Sequence, residues 1–329
     1  MLYNQKASLP PVGPSANIKP AVRKELSLFS FIWKYKVLYL FLLPGIIFYL
    51  IFNYLPMLGV IMSFQQYDPV TGFIKSPFIG MDNFERLFRT PRFLEAFQNT
   101  IFISVLKLCI GFPLPIIFAL LFNEIRKKRV KKVAQTVSYL PYFISWTVAA
   151  GIWYKLLSPD GGVFNEMLMK IGWISKPIFF MSSQDWFYPI IIWTDQWKNL
   201  GFSAIIYFAA LASIDTQLYE AAKVDGAGIL RQMWHISLPN MKPTIILLFI
   251  LAASNLLNAD FDQMWNMTNP TVMNKGDILD TFILRSLTTG GLNDLSLGAA
   301  VGLFKAILGL SLFLAVNSIS RLFKQESLL

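Results

Sequence analysis

The run Asp215-Thr216-Gln217-Leu218-Tyr219-Glu220-Ala221-Ala222-Lys223-Val224-Asp225-Gly226-Ala227-Gly228 is continued by Ile229-Leu230-Arg231-Gln232-Met233-Trp234-His235-Ile236-Ser237-Leu238-Pro239, with Pro243 shortly beyond. It is a polar interruption between two apolar segments of membrane-spanning length. Asp215 or Thr216 can cap a first turn, and Leu218, Ala221, Ala222 and Asp225 fall on one face at helical spacing, which predicts a short helix ended by Gly226 and Gly228. A second short helix, roughly 229–238, is expected to restart at an angle before Pro239 and Pro243 break it. The two make an L lying on the membrane surface. Ala221, Ala222 and Ala227 add little bulk, so another protein's backbone can approach closely, while Glu220 offers a carboxylate to a basic partner.

Working outward, composition agrees with a polytopic membrane protein. Of 329 residues 55% are hydrophobic and 15% charged, too little polar surface to cover a soluble core. A helix needs roughly 20 apolar residues to cross about 30 Å of hydrocarbon. Six such runs are predicted, at about 37–64, 97–122, 133–157, 187–211, 244–262 and 297–319, giving an all-α fold of six transmembrane helices with the interruption at 213–242. Pro44, Pro56, Pro113, Pro115 and Pro141 lie in or near these runs and predict kinks. Cys109 is the only cysteine, so no disulfide or cysteine-based metal site can form within the chain, and it reads as a small buried hydrophobe. No metal site and no catalytic residue is expected.

Residues 1–36 are polar, proline-containing and basic, a tail rather than a signal peptide, because the first apolar run starts late, is long and has no small-residue cleavage site after it. Lys and Arg then set the orientation. The tail, the loop Arg126-Lys127-Lys128-Arg129-Val130-Lys131-Lys132, the central interruption (Lys223, Arg231, Lys242) and the end of the chain (Arg321, Lys324) hold roughly twice as many as the opposite loops. Both termini, including a short tail at 321–329, and the 213–242 segment are therefore expected in the cytoplasm. The net charge of +10 is explained by these juxtamembrane clusters, not by nucleic-acid binding. The opposite loops, near 65–96, 158–186 and 263–296, contain turn signals such as Ser158-Pro159-Asp160-Gly161-Gly162 and Gly290-Gly291-Leu292-Asn293-Asp294, with Trp173, Trp186 and Trp265 placed to anchor at the interface.

Polar residues within spans are costly in hydrocarbon and face a cavity or a partner helix. Asp195 and Lys198 stand one turn apart and can neutralise each other, and Trp193 and Trp197 share a face. Asn255, Asn258 and Asp262 follow at i, i+3 and i+7, one helical stripe; Asp260 lies nearby, and Lys107 and Lys305 add cations to the second and sixth spans. Aromatic rings beside amides and carboxylates suit a sugar, whose ring has an apolar face and a rim of hydroxyls. Trp193, Gln196, Trp197, Asn199, Asn255, Asn258 and Asp262 are thus candidates to line a carbohydrate route; helix-packing contacts without a ligand role are the alternative for each.

The central stretch resembles the "EAA" loop of permease subunits in binding-protein-dependent ABC importers: Glu220, Ala221, Ala222, Asp225, Gly226, Ala227, Ile236, Leu238 and Pro239 fit it, with Trp234 near the place of a usual Phe. The likeness extends over about 35–325 and is closest to the carbohydrate branch that includes the larger maltose permease subunit. Asp195 to Asn199, Asn269-Pro270, Asp277-Ile278-Leu279-Asp280-Thr281 and Gly298 to Lys305 look more like permeases for oligosaccharides and polysaccharide fragments, an acidic oligouronate of the alginate or pectin type among them. The extra N-terminal spans and large external domain of the maltose protein have no counterpart here.

The resemblance implies a type I ABC importer permease fold in the bacterial inner membrane and a coupling helix that docks into an ATPase subunit, with Glu220 as its ion-pairing residue. It also implies a second, related permease subunit, two ATPase subunits holding ATP and Mg, and an extracytoplasmic solute-binding protein. The chain itself would hold no cofactor and catalyse nothing: no Gly-x-x-x-x-Gly-Lys-Ser/Thr loop occurs. Peptide, amino acid or polyol phosphate remain alternative cargoes. An ion-coupled secondary transporter would call for inverted repeats, which are not seen, and an intramembrane enzyme lacks a His-Glu-x-x-His motif or a Cys-His dyad.

Overall fold

The structure is a computed structural model that describes residues 33–125, 127–289 and 292–322. The N-terminal tail up to residue 32, Arg126 of the basic loop, the Gly290-Gly291 turn and the C-terminal end from residue 323 lie outside the described residues. The chain falls into two units, 1–58 and 59–329. In the first, Lys36–Tyr49 is α-helical through Pro44 and passes into a π-helical turn at Leu50–Tyr54. The helical run continues without a break to Phe64, long and apolar enough to cross a membrane.

In the second unit three further uninterrupted helices reach that length: Pro91–Asn123, Ile229–Ser254 and Leu295–Ser318. The helix Gln184–Ala212 meets the same test together with Thr216–Val224, from which it is bent by 72°. The second, fourth and sixth predicted runs therefore begin earlier than hydropathy alone suggests. Pro91 stands in the first turn of its helix, where a missing N–H costs nothing.

The third run, 133–157, differs from expectation. It is two helices, Lys128–Tyr139 and Trp146–Leu156, separated by a 3-10 turn at Leu140–Phe143. Pro141 cannot donate into an α-helical ladder, and Ser145 adopts an extended backbone to cap the next helix, its hydroxyl accepting from the Val148 N–H at 3.4 Å. A kink becomes a corner. The fifth run also ends early, at Ser254, and the chain turns before the short helix Phe261–Met267. Asn255, Asn258 and Asp262 consequently do not share one helical stripe.

The region expected as a loop over 263–296 is largely helical, with Met273–Gly276 and Leu279–Thr289, and its Ile278 and Leu279 are fully buried. Asp277 is buried there too, held by Arg92 Nε at 3.1 Å and Arg285 Nε at 3.3 Å, while Lys305 pairs with Asp280 at 2.6 Å. The 158–186 loop is pinned by Asn165, whose amide donates to the Ser158 and Ile178 carbonyls and accepts from the Ile178 N–H. Cys109 is exposed, not buried, on the surface of its span.

Small residues set the closest helix approach. A Cβ on Gly201 would run into the Ser138 carbonyl, so Gln184–Ala212 and Lys128–Tyr139 meet backbone to backbone there. Around this contact lie Ile116, Ala119, Ala204, Tyr207, Leu211 and Met241, a core that also receives Tyr219, Ile236 and Leu238 from the polar interruption.

Candidate functional site

Two features stand out, an elbow between the long helices Gln184–Ala212 and Ile229–Ser254 and a cavity within the bundle that carries polar side chains on an otherwise apolar wall. The elbow begins where the Asp215 carboxylate caps Thr216–Val224, accepting from the Gln217 N–H at 2.9 Å. It ends at Gly226, whose φ of 76° lets the Ala227 N–H return to the Ala222 carbonyl at 2.8 Å, satisfying the last turn. The second arm is not a separate short helix. Ile229–Ser254 runs through Pro239 and Pro243, because a π-helical turn at Met233–Ser237 widens the helix just before the first proline and the Asn240 amide caps the Ile236 carbonyl at 2.7 Å.

The arms are fastened to each other by Tyr219 Oη against Ser237 Oγ at 2.9 Å and by Gln232 donating to the Ala227 carbonyl at 2.7 Å. Leu238 is half-buried against the core. On the other side Glu220, Ala221, Asp225, Gly226 and Pro239 are exposed, and Ala222 and Ala227 partly so. Val224, Leu230 and Trp234 stand out beside them, at 88%, 71% and 68% exposure. An exposed apolar surface with a carboxylate at its edge is suited to a protein partner.

The cavity, about 690 Å³, is lined by Ser104, Lys107, Tyr142, Asp195, Gln196, Asn199, Phe202, Ser203, Asn255 and Asn258, with Phe112, Tyr207 and aliphatic residues between them. Four of the seven residues expected from sequence, Gln196, Asn199, Asn255 and Asn258, come together here. Trp193, Trp197 and Asp262 do not. Trp193 is exposed beside an apolar groove, Trp197 lines that groove with its ring edge-on to Trp153 at 5.4 Å, and Asp262 sits in the first turn of Phe261–Met267. The aromatic wall comes instead from Tyr142 and Phe202, stacked with centroids 3.7 Å apart and planes within 4°. The corner at Leu140–Phe143 is what turns Tyr142 inward, and hydropathy alone could not signal it.

The charges also pair differently from expectation. Asp195 is held by Lys107 Nζ at 3.2 Å, and Gln196 and Asn199 donate to its two oxygens at 3.0 and 3.1 Å. Lys198 turns away to the Tyr142 carbonyl at 2.7 Å, one of those left over at the end of the 3-10 turn, and lies over the rings of Tyr142 and Trp146. Gln196 fits because Gly111 faces it: a Cβ there would meet its Nε2 at 2.7 Å. The Ser104 hydroxyl, buried in the same wall, has no hydrogen-bond partner among the described residues.

A bundle of membrane-length apolar helices, opened by a polar cavity and bearing an exposed elbow between two of them, is the build of a membrane permease. The chain belongs to the family of binding-protein-dependent transport system inner membrane components, whose model matches residues 111–325. It is 42% identical to protein LplB of Bacillus subtilis (strain 168), over 93% of this chain and 95% of that one. It is 41% identical to the polygalacturonan/rhamnogalacturonan transport system permease protein YteP of the same organism, over 89% and 90%.

Among solved structures it resembles a chain of a bacterial ABC transporter involved in the import of the acidic polysaccharide alginate. The TM-score is 0.81 and the identity 39%, covering 89% of this chain and 98% of that one. It also resembles a chain of a bacterial alginate ABC transporter in complex with an alginate pentasaccharide-bound periplasmic protein, with a TM-score of 0.82 and 38% identity over 92% and 99%.

Proposed function

We propose that this inner-membrane permease moves an oligosaccharide or polysaccharide fragment through the cavity by alternating access. The carrying observation is the cavity wall: stacked Tyr142 and Phe202 offer an apolar platform, while Gln196, Asn199, Asn255, Asn258 and Ser104 offer amides and a hydroxyl at the rim of a sugar ring. The names of the relatives support a carbohydrate, and those concerned with alginate and polygalacturonan support an acidic one. The lysines do not add to that. Lys107 and Lys305 are engaged by Asp195 and Asp280, and Lys198 by backbone carbonyls.

In this reading a solute-binding protein delivers the fragment outside, and a second, related permease subunit completes the passage. Two ATPase subunits bind ATP and Mg, and one of them docks on the elbow, with Glu220, Ala221, Ala222, Asp225, Gly226, Ala227, Trp234, Leu238 and Pro239 as the coupling surface. Both termini then lie in the cytoplasm. Closure of the ATPase pair moves the elbow, and the attached helices shift the cavity between outward and inward states. The stroke requires a difference in affinity between those states, since equal binding shifts nothing.

The test is uptake by the assembled transporter, in proteoliposomes, of size-matched uronate and neutral oligosaccharides. Saturable ATP-dependent uptake of a member of either series is expected. Uptake of amino acids or peptides instead, with none of either sugar series, rejects the reading.

A further inference from the structure

The cavity has one fixed corner. Lys107 Nζ lies 3.2 Å from Asp195 on the helix Gln184–Ala212, 2.6 Å from Gln263 Oε1, 3.2 Å from the Ala259 carbonyl and 4.0 Å from Asp260. The last three belong to the segment that follows Ile229–Ser254. One ammonium therefore fastens together, at the level of the cavity, the two segments that leave the elbow in opposite chain directions. We propose that Lys107 is a positioning residue for transport: it sets the separation between Ser203 and Asn199 on one wall and Asn255 and Asn258 on the other, across which the solute is held.

Three further observations support this beyond the ion pair itself. Lys107 opens a π-helical turn, Lys107–Gly111, in an otherwise regular span, and such turns re-aim a side chain by adding a residue to the helical repeat. Its side chain is 14% exposed and that of Asp195 12%, so water and salt screen the attraction little. Asp260, opposite, is the one non-glycine among the described residues with positive φ, at 67°. That conformation is costly and persists only where neighbours impose it. Here Trp146 Nε1 donates to Asp260 at 2.9 Å, and Asp260 in turn caps the Gln263 N–H at 3.2 Å. The chain turn that presents Asn255 and Asn258 is thus held at its far end by the same cluster.

The proposal rests on the cavity being the solute route, and its test separates the two. Spin labels at Ser203→Cys and Asn255→Cys, in a Cys109→Ala background, report the distance across the cavity of the assembled transporter in nanodiscs. A narrow distribution is expected with Lys107 present and with Lys107→Arg, and a broad one in Lys107→Met/Asp195→Asn, which removes both charges and leaves Asp260, 30% exposed, its Trp146 and Gln263 N–H donors. With Ser203 and Asn255 native, KM for trigalacturonate should rise about tenfold in the Lys107→Met/Asp195→Asn variant at nearly unchanged kcat, the effect of one or two misplaced hydrogen bonds. Lys107→Arg should restore it. A merely structural pair would lower thermal stability and kcat together and leave the distance distribution narrow.

An unchanged distribution in the double variant overturns the proposal, whatever the uptake. If the native transporter carries no member of the uronate or neutral oligosaccharide series, the carbohydrate reading fails, and the distance measurement still decides the role of Lys107.

Discussion

Asn258 and Phe202 both line the cavity, one an amide after a turn and the other a ring on a helix, and each should bear on the solute. Asn258→Ala and Phe202→Ala are expected to raise the KM for uptake several-fold with normal amounts in the membrane, whereas Trp193→Ala, on the exposed groove, should leave it unchanged. Asp195→Ala takes from Lys107 its nearer carboxylate, leaving it Gln263, the Ala259 carbonyl and Asp260 at 4.0 Å, and should cost about 1–3 kcal/mol, read as a lower unfolding temperature in detergent. Glu220→Lys should weaken ATPase association or uncouple hydrolysis from transport; full ATP-driven uptake by that variant would contradict its role as the ionic anchor. The amides of the cavity were legible in sequence because a polar group in hydrocarbon is conspicuous wherever it lies. Its partner is not conspicuous. Spacing along one helix pairs Asp195 with Lys198, but the 3-10 corner offers Lys198 free carbonyls, and Lys107 reaches Asp195 from another helix.

Among the elements, the elbow was the most readable, since its cap at Asp215, its stop at Gly226 and its small-residue face are all local signals. Gly226→Val tests the stop: a β-branched side chain at φ 76° is strained by about 1–2 kcal/mol and should loosen the first arm, lowering coupled uptake more than the amount of protein. Gly201→Val should instead drive the third and fourth segments apart at Ser138 and reduce the amount of folded protein in the membrane. Two of the misread elements share a cause. Proline in a membrane run can kink, break or be absorbed, and the outcome depends on neighbours: Pro141 makes a corner where Ser145 can cap the next helix, while Pro239 is absorbed behind the π-helical turn at Met233–Ser237.

At the scale of the whole molecule, hydropathy found four of the spans, and a fifth if Gln184–Ala212 is counted with its bent continuation, and missed where the polar wall folds back, because Asn255 to Asp260 looks like the end of a helix and is a turn. If the engine lies outside the chain, proteoliposomes containing it with its partner permease but no ATPase should show no ATP-dependent uptake, and adding the ATPase should restore it. The uninterrupted course of Ile229–Ser254 sharpens what that engine has to deliver. At 1.5 Å per residue its 26 residues form a rod of roughly 39 Å, so a tilt of about 10° at one end displaces the other by roughly 7 Å. A small angular stroke is thereby geared up into a large step at the far end of the shaft, and any hinge introduced along it would dissipate the motion.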